Sequence, residues 1–153
     1  MRDHKQAAAE NFLKGYNCAQ SVFLAYNDLT GLDDETALRL SSSLGGGISR
    51  LRETCGAVTA LGMVFGYLYG FVSPEDYDNK ARAYAEFQSI AIEFENRFGS
   101  LVCRDLLSLN VHHDLPQPEK RDAGYYKRRK CALYISAACE IMDEYIKKRS
   151  ETN

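Results

Sequence analysis

The chain has 153 residues, of which 45% are hydrophobic and 26% are charged, and its formal net charge is -2 at pH 7. This composition is typical of an ordinary globular protein and argues against an intrinsically disordered chain. The small negative charge argues against a nucleic-acid-binding protein, because such proteins gain affinity by neutralising phosphates. We therefore expect a single domain over residues 1–153 that has no nucleic acid as a partner.

The N-terminal sequence runs directly into an amphipathic pattern and lacks the apolar core of a signal peptide, so we expect a cytoplasmic protein. In such a reducing compartment the cysteines are not expected to form a disulfide framework, and an odd number of five also fits one poorly. No two of them have the C-x-x-C spacing of a zinc ribbon or a thioredoxin-like pair. If the cysteines act together, the fold must gather them from distant positions.

Apolar residues recur at helical spacing along most of the chain and predict an all-α fold, a helical bundle of about five to six helices. Ser73 and Asp122 are predicted to cap the fourth and the last helix. The stripe predicted to be buried on the fourth helix includes Tyr77, Tyr84, Phe87 and Phe94. The predicted helices cover residues 3–28, 34–43, 52–71, 74–98, 101–108 and 122–149.

The predicted third helix is the most apolar segment, since no charged residue occurs from Thr54 to Pro74. Its length raises the possibility of a membrane span, but its glycines and the absence of an aromatic belt favour a core helix. We therefore predict a central helix around which the bundle packs. Gly62, Gly66 and Gly70 are spaced by four and predict a smooth face that another helix can approach closely.

Four cysteines, at positions 18, 55, 103 and 131, fall on four different predicted helices. If they converge in the bundle core, they could bind a tetrahedral zinc ion or an iron–sulfur cluster, or two of them could form a redox disulfide. Cys139 follows Cys131 by eight residues on one predicted helix, which places the two about 12 Å apart along the axis. Cys139 is therefore interpreted as core packing, and the same interpretation stays open for all five.

Cys55 and Cys103 are the strongest candidates for reactive or catalytic thiols, because each lies in the first turn of a predicted helix. Helix N-termini stabilise a thiolate and lower its pKa. Arg50 and Arg52 add positive charge near Cys55, and Arg104 follows Cys103.

Three consecutive glycines, Gly45, Gly46 and Gly47, precede the predicted third helix and form a candidate binding loop. Such a loop could cradle an anion, but it lacks the Gly-Lys-Ser/Thr ending of a nucleotide P-loop. We prefer the interpretation that it lets the chain turn sharply and gives a small ligand access to Cys55.

Two further groups of polar residues are interpreted mainly as solvated. His112 and His113 lie in the predicted loop 109–121, where either could supply a metal ligand in place of a cysteine. The basic run at 127–130 is expected on a solvated face. The run at 147–149 lies near a predicted helix C-terminus, where it complements the helix dipole. An enzymatic role with Cys55 as nucleophile lacks a base, because no histidine is placed near it by the sequence.

Five short motifs stand out around the cysteines: Gly-Tyr-Asn-Cys-Ala-Gln at 15–20, Gly-Gly-Gly-Ile at 45–48 with Arg50, Glu-Thr-Cys-Gly-Ala at 53–57, Phe-Gly at 98–99 with Cys103, and Lys-Cys at 130–131. Together they resemble the C_GCAxxG_C_C family, redox-active proteins named for their cysteine pattern. The resemblance implies that Cys18, Cys55, Cys103 and Cys131 occupy the family's cysteine positions, whereas Cys139 has no place in the pattern. Ala60 departs from the pattern, because the family has glycine there.

The family is similar to a domain of split-Soret cytochromes that carries an iron–sulfur centre beside haem. Covalent haem is not expected in this chain, because it lacks a C-x-x-C-H motif. The resemblance implies a redox-active site that binds an iron–sulfur cluster, or zinc as the alternative, and a redox partner protein served by electron transfer or thiol chemistry. A competing interpretation is a structural or interaction module that forms a homodimer through its glycine-striped or tyrosine-rich faces.

Overall fold

The computed structural model describes residues 1–152, and within them it confirms the predicted all-α fold. A single antiparallel bridge joins Thr54 to Val102, and the described residues contain no β-strand. A 3-10 turn covers Ser42–Leu44. The helices are α1 (His4–Leu13), α2 (Cys18–Ala25), α3 (Asn27–Thr30), α4 (Asp34–Ser41), α5 (Gly45–Ile48), α6 (Gly56–Tyr69), α7 (Tyr77–Phe98), α8 (Cys103–Leu106), α9 (Ala123–Arg128) and α10 (Cys131–Thr152).

The core lies where α2, α6 and α10 pack against one another, with α1 against α2 and α10, and α7 against α6 and α10. Val22, Leu61, Val64 and Ile135 are fully buried there. Burial of each such side chain stabilises the fold by about 1.5–3 kcal/mol. Because these contacts hold the helices against one another, they also fix the relative positions of the helix ends.

The predicted first helix over 3–28 is wrong, because the chain breaks between α1 and α2. Gly15 has a φ of 101°, a left-handed conformation that ends α1. Asn17 then caps α2: its side chain accepts a hydrogen bond of 2.9 Å from the backbone N–H of Gln20. Gln20 in turn accepts from the N–H of Asn17, which completes a capping box. Cys18 is therefore the first residue of a helix and not a mid-helix residue.

The predicted last helix over 122–149 is also two helices. Asp122 caps α9 as predicted, and its carboxylate accepts from the N–H of Tyr125 at 2.8 Å. Arg129 has extended backbone angles that end α9, and its side chain pairs with Glu119. The break makes Cys131 the first residue of α10.

Two predicted helix starts lie too early. Residues 52–55 are not helical but run beside residues 101–104, so α6 begins only at Gly56. Asp76, and not Ser73, caps α7 by accepting from the N–H of Asn79 at 3.0 Å. Tyr77 and Tyr84 of the predicted buried stripe are exposed, at 74% and 54% of their surface. The stripe that is buried on α7 consists of Ala83, Ile90 and Phe94.

Helix α6 has 14 residues, fewer than the roughly 20 that a membrane span requires. Within residues 1–152, none of the helices is at once long and apolar enough to cross a membrane. The glycine-striped face meets α7 at Gly62, where an added Cβ would lie 3.2 Å from Cζ of Phe87. Gly66 has no described atom within 4 Å of its added Cβ, so the close helix approach is local.

Candidate cysteine site

Four cysteines line one cavity of about 350 Å³. Cys18, Cys103 and Cys131 are the first residues of α2, α8 and α10, and Cys55 immediately precedes α6. The first N–H groups of a helix lack backbone partners, and the helix dipole places partial positive charge there. Four helix starts therefore lie at one cavity, where their N–H groups place partial positive charge.

The bridge between Thr54 and Val102 brings the segments of Cys55 and Cys103 side by side. The N–H of Cys55 donates to the carbonyl of Leu101 at 2.8 Å, and the N–H of Cys103 donates to that of Glu53 at 2.6 Å. In this pairing the two cysteines are diagonal neighbours on one face, a relationship that separates residues by about 7–8 Å. All five cysteines are free thiols.

Glycines allow the backbone to approach the cysteine side chains closely. A Cβ added to Gly56 would lie 2.5 Å from the sulfur of Cys18, and one added to Gly47 would lie 2.6 Å from Cβ of Cys103. Gly45 is closed in by the side chain of Asn17 in the same way. Of the three loop glycines, Gly45 and Gly46 line the cavity, whereas Gly47 packs against the side chain of Cys103.

The glycine loop, which includes the short α5, is a left-handed turn and not a regular α-helix. Residues 46–50 have φ angles of 66°, 65°, 67°, 48° and 68° in order, and Ile48, Ser49 and Arg50 are not glycines. Each non-glycine residue costs about 1–2 kcal/mol in this conformation. The turn is held by hydrogen bonds from the N–H of Arg52 to the carbonyl of Gly46 and from Glu53 to Gly47, at 3.2 and 2.9 Å. Backbone strain is thus concentrated beside the cysteines.

Arg50 and Arg52 line the same cavity as Cys55, and their guanidinium groups are paired with Asp114. Both donate to the carboxylate of Asp114, with Nη2 distances of 3.1 and 2.9 Å. Arg52 is only 4% exposed, and its Nη1 lies 3.7 Å from the sulfur of Cys103. The hydrogen bond from Arg52 and the charges of both guanidinium groups lower the pKa of Asp114 below its usual value.

The prediction that Cys55 has a lowered pKa is wrong. Burial raises its pKa well above the usual range, and the neighbouring sulfur of Cys18 adds to the shift. The backbone N–H groups of Ala57 and Val58 at the start of α6 only partly oppose this effect. Burial likewise raises the pKa of Cys131 to about 12. Desolvation of the charged thiolate outweighs the helix N-terminus at these sites.

Burial also raises the pKa of Cys18, but three backbone N–H groups oppose the shift: those of Gly46, Ala19 and Gly56. They come from three separate segments, the glycine loop, α2 and the start of α6. The loop glycine Gly46 therefore presents its backbone to a cysteine sulfur.

The remaining candidates lie outside the cavity lining. Cys139 is fully buried in the core of α10. His112 and His113 are exposed in their loop. His4 is fully buried against Asp28 and Asp143, with distances of 3.0 and 2.7 Å.

Ala60, which departs from the pattern that the resemblance implies, is fully buried in α6. Its φ is not positive, so the position does not require glycine for its backbone conformation.

Sequence reasoning missed several cavity residues. The basic run 127–130 was expected to be solvated, but the Arg129 side chain is 13% exposed and lines the cavity. Arg121 and Tyr125 also line it, as does Tyr134, whose hydroxyl donates to the carbonyl of Leu106 at 2.7 Å. Asn17, which also lines the cavity, could have been recognised from the sequence. It begins an Asn-x-x-Gln capping pattern directly before the helix that starts at Cys18.

Among residues 1–152, no three His, Cys, Asp or Glu side chains form a group that could hold a metal ion. The sequence profile of the C_GCAxxG_C_C family, described as "Putative redox-active protein", matches residues 16–145. No match to this chain was found among curated proteins or among solved structures.

Proposed function

The chain belongs to the C_GCAxxG_C_C family of redox-active proteins, and on this premise we propose that its four converging cysteines hold an iron–sulfur cluster used in electron transfer. The observation that carries the proposal is their position at four helix starts around one cavity of about 350 Å³. Thiolates are the ordinary ligands of such clusters. Five free thiols also suit the reducing cytoplasm that we expect for this protein.

The diagonal pairing of Cys55 and Cys103 favours a cluster over a disulfide between them. A single tetrahedral zinc ion needs all its sulfurs at about 2.3 Å from one point. A disulfide needs Cβ atoms about 3.5–4.5 Å apart, closer than diagonal neighbours such as Cys55 and Cys103. A cluster bridges wider gaps, because its cysteines bind different iron atoms.

The residues around the cavity are suited to a negatively charged group. Backbone N–H groups of Gly46 and Gly56 face the Cys18 sulfur, and those of Ala57 and Val58 face Cys55. Hydrogen bonds to sulfur and nearby positive charge both raise the reduction potential of a cluster. When bound, the cluster would supply one-electron transfer, and a redox partner protein would receive or donate the electron.

High thiol pKa values do not prevent such binding. A metal displaces the thiol proton, so its binding releases protons and strengthens as the pH rises. Thiol–disulfide chemistry is the alternative within the same site: two thiols would release two protons and two electrons to the partner. That reaction requires Cys55 and Cys103 to move together first.

The test is anaerobic purification followed by an absorbance spectrum and analysis for iron, sulfide and zinc. We expect brown protein that contains iron and sulfide. Separate Cys18→Ser, Cys55→Ser, Cys103→Ser and Cys131→Ser variants should lose colour. Cys139→Ser is the matched control and should keep it. Colourless protein without metal, with five sluggish thiols, would overturn the proposal, and about one zinc per chain would replace the cluster with zinc.

A homodimeric interaction module remains the second candidate, favoured by exposed aromatic residues near the α6–α7 connection. Tyr67 and Tyr77 are 57% and 74% exposed, and Val72 is 98% exposed. Sedimentation at several protein concentrations tests it. Two results together would support this candidate over the redox site. The Tyr77→Ser variant would fail to dimerise, and the protein with all four cysteines replaced would keep its function.

A further inference from the structure

The cavity that the four cysteines line is also rich in arginine side chains. Four arginines line it, at positions 50, 52, 121 and 129, and Glu119 is its lining carboxylate. A volume of about 350 Å³ lies within the range of roughly 300–1,000 Å³ that small-molecule sites occupy. The question is which of these guanidinium groups is available to a ligand.

Three of the four arginines already have carboxylate partners. Arg50 and Arg52 share Asp114. Arg129 pairs with Glu119, which also accepts from Arg128. The charges of these three guanidinium groups are therefore already paired, which makes them weaker binding sites for an added anion.

Arg121 differs from the others, since among the described residues it pairs with no carboxylate. Its Nη atoms reach only the carbonyls of Phe12 and Tyr16, at 3.5 and 3.3 Å. The guanidinium carbon lies 4.6 Å from the ring centroids of both Phe12 and Tyr125. The group is thus held in a fixed orientation by two aromatic rings while several of its five N–H donors remain free.

Arg121 lines the cavity together with the four cysteines. Tyr125, on which its guanidinium stacks, lies in α9, directly before the helix that begins at Cys131. A molecule held by Arg121 therefore lies in the cavity that the four cysteines line.

We infer that the cavity binds a small organic anion, whose carboxylate or phosphate group is held by Arg121 beside Cys131. A fixed guanidinium suits both groups, because it donates two parallel hydrogen bonds to adjacent oxygens. The inference deepens the proposed function: any reaction of the bound anion rests on the proposed redox site. Binding of the anion itself needs no thiol chemistry.

The test is calorimetric titration of the purified protein with inorganic phosphate and with succinate, and with succinamide as the neutral counterpart. At least one anion should bind, and succinamide should not. Arg121→Gln should weaken the binding about tenfold or more. Lys127→Gln makes the same charge change at an exposed side chain and should leave the affinity unchanged. Preference for phosphate or for succinate identifies which anionic group is recognised.

A second measurement on the wild-type protein does not depend on the folding of a variant. Phenylglyoxal modifies accessible arginines, and mass spectrometry locates the modified residues. The bound anion should protect Arg121 while Arg128, whose side chain is 63% exposed, continues to react. Equal affinity in Arg121→Gln and wild type, or no protection of Arg121, would overturn the inference.

These outcomes are separable from those of the proposed function. A Cys131→Ser variant should lose the cluster but still bind the anion. Brown protein that binds neither probe would leave the redox proposal standing and remove this one.

Discussion

Arg52 connects Cys103 to Asp114: its Nη1 lies 3.7 Å from the cysteine sulfur, and its Nη2 lies 2.9 Å from the carboxylate. One buried guanidinium thereby ties the start of α8 to the loop that follows it. Arg50 completes the connection by donating from Nε to the carbonyl of Leu115 at 2.6 Å. The cavity wall around Cys103 therefore depends on charge pairing as well as on apolar packing.

Replacement of Arg52 by Met should lower the free energy of unfolding by about 2–3 kcal/mol, because it leaves Asp114 with one fewer partner in a partly buried position. Arg50→Met is the matched control, since it removes the same charge from the same carboxylate. Arg50 is 20% exposed at its side chain and Arg52 is 5% exposed, so the control should cost less. Urea denaturation measures both. Equal losses would show that the buried position of Arg52 is not what matters.

Gly56→Ala should destabilise the protein by about 1–3 kcal/mol, since the new Cβ forces Cys18 or the backbone to move. That Cβ would lie 2.5 Å from the Cys18 sulfur and 2.8 Å from the carbonyl oxygen of Leu44. Gly66→Ala lies in the same helix with open space around it and should stabilise by about 0.5–1 kcal/mol, because alanine favours helix. Thermal or urea denaturation checks the opposite signs. Two losses of similar size would contradict the close contact with Cys18.

Alkylation of Cys131 in metal-free, reduced protein should accelerate about tenfold per pH unit between roughly pH 7 and 9, without a plateau. The reason is that burial raises the pKa of Cys131 to about 12, so the thiolate fraction keeps rising throughout this range. Mass spectrometry after timed exposure to iodoacetamide gives the rate. Protein unfolded in denaturant is the control, and its rates should level off near the ordinary cysteine pKa of about 8.5. A plateau in the native protein would instead indicate a stabilised thiolate.

His4 should make the protein less stable as the pH rises. Burial alone lowers the pKa of His4, but hydrogen bonds and charges from Asp143 and Asp28 raise it overall. The imidazole also stacks on Tyr26, with ring centroids 4.1 Å apart, and Tyr26 donates to Asp143 at 3.0 Å. The resulting stabilisation is complete below the unfolded pKa of about 6.5 and is lost as the pH rises through the higher folded value.

His4→Gln should therefore cost about 1–3 kcal/mol at about pH 6 and progressively less at higher pH. Urea denaturation across the range gives the slope for each protein. His112→Gln removes an exposed imidazole elsewhere and should keep the wild-type slope. The same slope in wild type and His4→Gln would refute the role of the buried histidine.

Some features of the site could be predicted because they depend on local sequence. The helical fold follows from apolar spacing, and the cap at Asp122 follows from the preference of helix starts for short polar side chains. Glycines that admit a close neighbour, such as Gly47 beside Cys103, are marked by the run in which they occur. These signals do not require knowledge of which elements pack together.

Other features could not be predicted, because they result from competition between local preference and packing. The continuous apolar stripe over 3–28 concealed the break at Gly15, where a left-handed residue and the cap at Asn17 restart the helix. The low pKa expected for Cys55 fails because burial outweighs the helix N-terminus, and burial is not a local property. The placement of Arg129 in the cavity likewise depends on where α9 ends.

By itself the sequence determined the all-α fold class, the family and the spacing of its cysteines and glycines, since each depends on residue type and position along the chain. Only the tertiary structure decided that all four cysteines stand at helix starts around one cavity. It also decided that Arg121 alone among the cavity's arginines lacks a carboxylate among the described residues. The physical reason is that helix breaks, burial and charge pairing are set by contacts between residues far apart in the chain, as between Arg52 and Cys103.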